Sequence, residues 1–191
     1  MRDKKIRGNF GFTLIEILVT MVICLVILAG VHSVLVTQMR ISSLQENQVS
    51  MTQEMRGAIS RMTAEFHRAG IRKNSPVATF NGISVATDKS VRLLSDLNMD
   101  GVISGSGEDI YYQYDPSSLV VQKNGQTFLG NVVDFGLVYT LSDGSVTSAP
   151  ADLSDIRKIG LRIGIRTQTP GNDGVFRTMT FSSDIQLRNN S

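Results

Sequence analysis

The sequence has 191 residues, room for one ordinary domain or for one domain and an appendage. Apolar residues make up 41%, enough for a packed core, and 19 Lys and Arg against 17 Asp and Glu leave a balance of +2 that gives no electrostatic case for a nucleic-acid partner. A single Cys excludes an intramolecular disulfide framework and a multi-cysteine zinc site, and two His leave few combinations for metal or acid–base chemistry.

The chain opens with a basic leader, MRDKKIRGNFG, in which Arg2, Lys4, Lys5 and Arg7 stand against Asp3. Phe12 to Val36 then reads FTLIEILVTMVICLVILAGVHSVLV, with Glu16 as its only formal charge. A helix of about 20 apolar residues crosses the hydrocarbon core of a bilayer, so this segment is expected to lie in a membrane. By the positive-inside rule the leader stays cytoplasmic and everything after Val36 is translocated. A secretory signal places its apolar stretch before a small-residue cleavage site, whereas here the apolar run follows Gly11. An ionised carboxylate is costly in hydrocarbon, so Glu16 needs either the headgroup layer or a positive partner. Cys24 within the run reads as a small buried hydrophobe, and His32 as an interfacial or subunit-contact residue.

These residues carry a resemblance. GFTLIEILVTMVICLVILAG resembles the class III signal of type IV prepilins and type II secretion pseudopilins. The resemblance implies that prepilin peptidase, a membrane enzyme, cuts after Gly11 and methylates the new terminal residue, Phe12. It also implies that Glu16 is the family carboxylate, paired during assembly with the terminal amine of a neighbouring subunit. Loss of residues 1–11 would leave 15 basic and 16 acidic side chains, a nearly neutral mature chain with no basic face for DNA or anionic lipid.

After Val36 the pattern becomes amphipathic without a helix breaker. Leu44, Met51, Met55, Ile59, Met62 and Phe66 recur at helical spacing, and this stripe is expected to pack on a core. Arg61 and Glu65, four apart, are placed to pair on the exposed side. Gly57 is tolerated mid-helix, and Gly70 after His67 and Arg68 is a C-cap with cations in the last turn. Helix over 12–69 would measure roughly 87 Å.

Beyond Gly70 short runs rich in Val, Ile, Tyr and Thr alternate with turn residues. Val91–Leu94, Ile110–Tyr114 and Leu119–Gln122 read as strands, with a hairpin turn at Asp115–Ser118. Val132–Leu141 follows after an Asn124–Gly125 turn. Ile159, Leu161, Ile163 and Ile165 alternate with Gly160, Arg162, Gly164 and Arg166, the pattern of a half-buried strand. Val175, Met179, Phe181, Ile185 and Leu187 continue it into a last strand, joined through Thr167–Gly174.

One loop has the spacing of an ion site. Asp96, Asn98 and Asp100 supply oxygens at alternate positions, Gly101 permits a sharp turn, and the carbonyl of Val102 would follow, as at the start of a calcium loop. The twelfth position is Gly107 rather than Glu, with Glu108 and Asp109 just beyond. The same residues also suit a hairpin loop that holds no ion. No nucleophile elbow, Ser/His/Asp order or phosphate-cradling loop is present, and a non-enzymatic role is expected.

The expected architecture is α+β and pilin-like: a long N-terminal helix, half transmembrane and half amphipathic, packed on an antiparallel sheet. Its parts are the leader 1–11, the membrane and assembly helix 12–36, the amphipathic half 37–70 and a periplasmic β-rich domain 71–191. FHRAGI at 66–71, DLNMDG at 96–101, IYYQY at 110–114 and IQLRN at 185–189 resemble the PilW-like minor pilins, with the J-type minor pseudopilins of type II secretion the nearest alternative. The resemblance implies an inner-membrane protein with a single span that primes or tips a type IV pilus. Its partners would be prepilin peptidase, other minor pilins, the major pilin, the inner-membrane assembly platform and the bilayer. A membrane-anchored binding domain that never polymerises is the alternative outside the family.

Overall fold

Helical and alternating periodicities each find their element in the computed structural model, which describes residues 12–72, 80–171 and 174–188. Helix α1 spans Leu14–Arg68. It starts at an acid, Glu16, and stops at His67 and Arg68, both matched to the polarity of the helix ends. Gly70 turns the chain out of the helix with φ of +78°, a value that glycine adopts without strain. Gly82 is needed for a different reason, since a Cβ there would lie 2.5 Å from the backbone nitrogen of Gly70.

The strands are β1 (Ile83–Ala86), β2 (Ser90–Leu94), β3 (Asp109–Asp115), β4 (Val120–Lys123), β5 (Gln126–Leu129), β6 (Val132–Leu141), β7 (Val146–Thr147), β8 (Ile156–Arg166) and β9 (Thr178–Gln186). All pairings are antiparallel, and they form two sheets rather than one: β1-β2-β3-β4-β5 and β7-β6-β8-β9. The arrangement is α+β and pilin-like, one long N-terminal helix with antiparallel sheets. The turn between β1 and β2 stitches the sheets together: Leu137 N donates to Asp88 O at 3.0 Å, the Tyr139 hydroxyl to Thr87 O at 2.8 Å, and Lys89 Nζ to Phe135 O. Burial holds the Tyr139 phenol above its ordinary range.

The chain divides into two compact units between Glu46 and Asn47. In the second unit Met51, Met55, Ala58, Met62 and Phe66 of α1 are buried in one core with inward residues of both sheets. Burial of each large side chain contributes about 1.5–3 kcal/mol. β8 is the central strand of this packing, with Ile159, Leu161, Ile163 and Ile165 inward. On its other face Gly160 is overhung by neighbours, since a Cβ there would meet Val138 Cγ2 at 2.7 Å.

Three strands, β1, β5 and β7, are additions to the sequence expectation, and Val175 lies outside β9 and is exposed. Glu65 also departs from it. Instead of Arg61, it meets Lys123 Nζ across the domain and accepts a hydrogen bond from the Tyr112 hydroxyl. Tyr112 is fully buried between Phe66 and Phe128, with Lys123 5.8 Å from its ring centroid. Burial first, and then the Glu65 carboxylate, push this phenol well above its usual range.

Because the Tyr112 hydroxyl satisfies a carboxylate with little water around it, Tyr112→Phe is expected to cost about 1–2 kcal/mol. The less constrained Tyr111→Phe should stay within about 0.5 kcal/mol. Urea unfolding of the full chain in detergent, followed by circular dichroism, measures both.

Candidate functional site

Thr13 and Glu16 fold back on each other at the start of α1. The Glu16 N–H points to Thr13 Oγ1 at 3.4 Å, while Glu16 Oε2 accepts from Thr13 N at 2.8 Å and from Thr13 Oγ1 at 2.9 Å. This is a capping box, which satisfies two backbone donors that a helix N-terminus otherwise leaves free. The pattern T-x-x-E over Thr13–Glu16 is its sequence signal, alongside the charge that made Glu16 conspicuous. Glu16 Oε1 accepts no hydrogen bond from the described residues. Phe12, the first described residue, is 84% exposed; Gly11, where cleavage is expected, lies outside the described residues.

From Phe12 to Leu35 every large apolar side chain is at least 49% exposed. Cys24, a free thiol, and His32 share that exposure. Thr20 in this stretch turns its hydroxyl to its own helix backbone: Oγ1 donates to the carbonyls of Glu16 and Ile17 at 2.9 and 2.8 Å. Such closure lets a polar residue sit in an apolar surrounding. A helix apolar on every side and buried on none is suited to lipid or to a bundle of similar helices. Among the described residues it is the one helix long and apolar enough to cross a membrane.

The second candidate is the loop from Asp96 to Glu108, in the other unit. The structure does bring Asp96, Asn98 and Asp100 together, with Asp96 and Glu108 both buried. Their oxygens face backbone donors: Asp96 Oδ1 accepts from Asp100 N and Oδ2 from Gly101 N, while Asp100 Oδ1 accepts from Val102 N. Val102 itself is exposed. Glu108 closes the loop through four backbone N–H groups, those of Leu97 and Asn98 on Oε1 and of Ser104 and Gly105 on Oε2. Gly105 is needed there, because a Cβ would come within 2.6 Å of that carboxyl. No group of three or more His, Cys, Asp or Glu among the described residues is placed to hold a metal ion. What closes this loop is a carboxylate on amides. No sequence pattern announced Glu108 in that part, since the four donors lie on both sides of a loop.

A family model described as the prokaryotic N-terminal methylation motif matches residues 6–31. No curated protein and no solved structure matches the chain. The motif, together with the apolar helix, supports a type IV pilin or pseudopilin class: a structural subunit, anchored in a membrane, processed by prepilin peptidase and assembled with other pilins.

The N–H of Gly105 above all, with those of Asn98, Ser104 and Leu97, holds the Glu108 carboxyl below its usual range despite burial. A depressed folded-state pKa contributes stability that is present above the unfolded value of about 4.3 and is lost as pH falls through the folded one. Glu108→Gln sets an amide N–H₂ against backbone donors and is expected to lower the melting temperature by several degrees at neutral pH. The gap to the native chain should shrink as pH falls below about 4.3, as thermal scans across pH would record.

Proposed function

We propose that this chain is a minor pilin of the PilW-like branch, acting in the priming or tip complex of a type IV pilus. In this reading prepilin peptidase cuts after Gly11 and methylates Phe12. The Phe12–Val36 helix sits in the inner membrane and the residues after Val36 lie in the periplasm. Assembly transfers that helix from lipid to a bundle of pilin helices, where Glu16 meets the terminal amine of a neighbour. Other minor pilins, the major pilin and the assembly platform are its partners.

The observation that carries this reading is the state of Glu16. It is the only acid in the apolar stretch, and the capping box engages Oε2 while Oε1 has no donor among the described residues. Thr13 therefore eases the presence of the carboxylate in the single subunit without neutralising it. A neighbour's amine supplies the missing charge, and in a low-dielectric bundle that attraction is far larger than in water. Removing one partner of a buried pair leaves the other uncompensated, so the pairing favours subunits in correct register over loose aggregates of apolar helices.

Two measurements test the reading. Intact mass and N-terminal sequence of the membrane-extracted protein should show a chain that begins at Phe12 with one added methyl group when prepilin peptidase is present. A chain that still begins at Met1 would overturn it. Glu16→Ala should reach the membrane fraction at the native level yet fall about tenfold or more in the assembled pilin complex. Equal incorporation of that variant would remove the pairing role while leaving the processing result intact.

A further inference from the structure

An exposed sheet edge leaves backbone donors and acceptors without partners, and among the described residues this domain has four such edges, β1, β5, β7 and β9. β7 has two residues, and β1 and β5 have four each with a register irregularity in their pairing. β9 is different. Its nine residues run in unbroken register against β8, from Lys158↔Gln186 to Arg166↔Thr178. It has no Pro, no Lys and no bulge, the devices by which proteins block an edge.

The direction of its free groups follows from the ladder. Leu187 N donates to Arg157 O at 2.9 Å, and Thr167 N to Arg177 O at 2.8 Å, so the odd-numbered residues face β8. The N–H and C=O groups of Thr178, Thr180, Ser182, Asp184 and Gln186 point the other way, and no described strand pairs with them. The side chains are equally unfinished. On the core face Met179 and Phe181 are only half-buried, where the matching residues of β8 are at most 2% exposed. On the outer face Asp184 is 68% exposed; Lys158 Nζ reaches its Oδ2 at 2.9 Å, and Oδ1 has no donor among the described residues.

We propose that β9 is a docking edge for an extended segment of a different protein, added to the four-stranded sheet as a fifth strand. Main-chain hydrogen bonds to the even-numbered residues hold it, apolar side chains cover Met179 and Phe181, and a Lys or Arg in the outer row meets Asp184. The charge decides the occupant. None of β1, β5, β7 or β9 contains a Lys or Arg, and the nearest cation in the outward row, Arg188, stands beyond the end of β9, so a second copy paired along the length of an edge strand sets no cation opposite Asp184. The proposal concerns the sheet domain alone and stands whether or not Gly11 is cleaved.

The test uses the full chain in detergent micelles and a fluorescein-labelled peptide of alternating Val and Thr with one Lys in the Thr row, read by anisotropy. Saturable binding is expected. Ser182→Pro deletes an outward N–H that no ladder bond uses, and should weaken binding about tenfold with the circular dichroism spectrum retained. The same peptide methylated on every backbone nitrogen leaves the protein untouched and should lose binding by about tenfold or more, which decides the matter if the proline variant fails to fold. Replacing the peptide's Lys by Glu should weaken binding, and Asp184→Lys should reverse that preference. Absence of saturable binding, or binding indifferent to N-methylation and to the charge swap, would overturn the proposal. So would a concentration-dependent dimer of the native chain that Ser182→Pro abolishes, since the edge would then belong to a second copy.

Discussion

Two sheets that share no strand need something other than a hydrogen-bond ladder to make them one domain, and here it is the stripe Met51, Met55, Ala58, Met62 and Phe66. The side chains of that stripe belong to one buried cluster with residues of β2, β3, β6 and β8, so both sheets contribute to a common apolar core. Three methionines in five positions suit that task, because an unbranched thioether fills irregular space in a core better than a branched chain does. The polar links are secondary in energy but specific in geometry. Glu65 on Tyr112 and Lys123 fixes the end of the helix to the first sheet, and Lys89 with Tyr139 fixes the first sheet to the second.

The same helix carries a second kind of apolar sequence. In residues 47–68 the apolar positions are periodic and one side is buried; before them, from Phe12 to Leu35, they occupy all sides and none is buried. A periodic stripe can be satisfied by a chain's own sheet. An apolar surface all around cannot, and needs lipid or other helices. Nothing intrinsic to a 55-residue helix separates the two regimes, since propensity is adequate throughout; what changes is whether polar residues punctuate the period.

How much of this could be read from residues depends on the range over which each signal acts. α1, its Gly70 end and the long strands β6 and β8 were legible because many residues repeat one period, so single exceptions do not matter. β5 was not, although its turn was: Asn124 and Gly125 both take positive φ, as an Asn-Gly hairpin turn demands, but Gln126–Leu129 is too short to display alternation. Glu65 illustrates the second limit. Local spacing offered Arg61 as a partner, and tertiary structure supplied Lys123 and Tyr112, which lie far along the chain. Glu108 shows the same thing inside a loop. Its alternate oxygens at Asp96, Asn98 and Asp100 are visible in sequence, whereas a carboxylate gathering four amides from both loop ends depends on a fold of the loop that spacing does not encode.

What distinguishes the two proposed sites of assembly, Glu16 and β9, from the rest of the molecule is the fate of their polar groups. Inside the domain a carboxylate such as Glu108 or Glu65 is surrounded by donors from its own chain. Among the described residues Glu16 has donors on one oxygen only, and β9 has a full ladder on one side and none on the other. In both places half of the hydrogen-bonding capacity is met internally, which keeps the group in position, and half is left directed outward. A group left wholly unsatisfied would be costly in the free subunit and would invite misfolding; a group wholly satisfied would have nothing to offer a neighbour. Partial satisfaction gives the isolated subunit tolerable stability together with a directional demand. That demand, unlike the apolar surface of the helix, distinguishes one neighbour and one register from another.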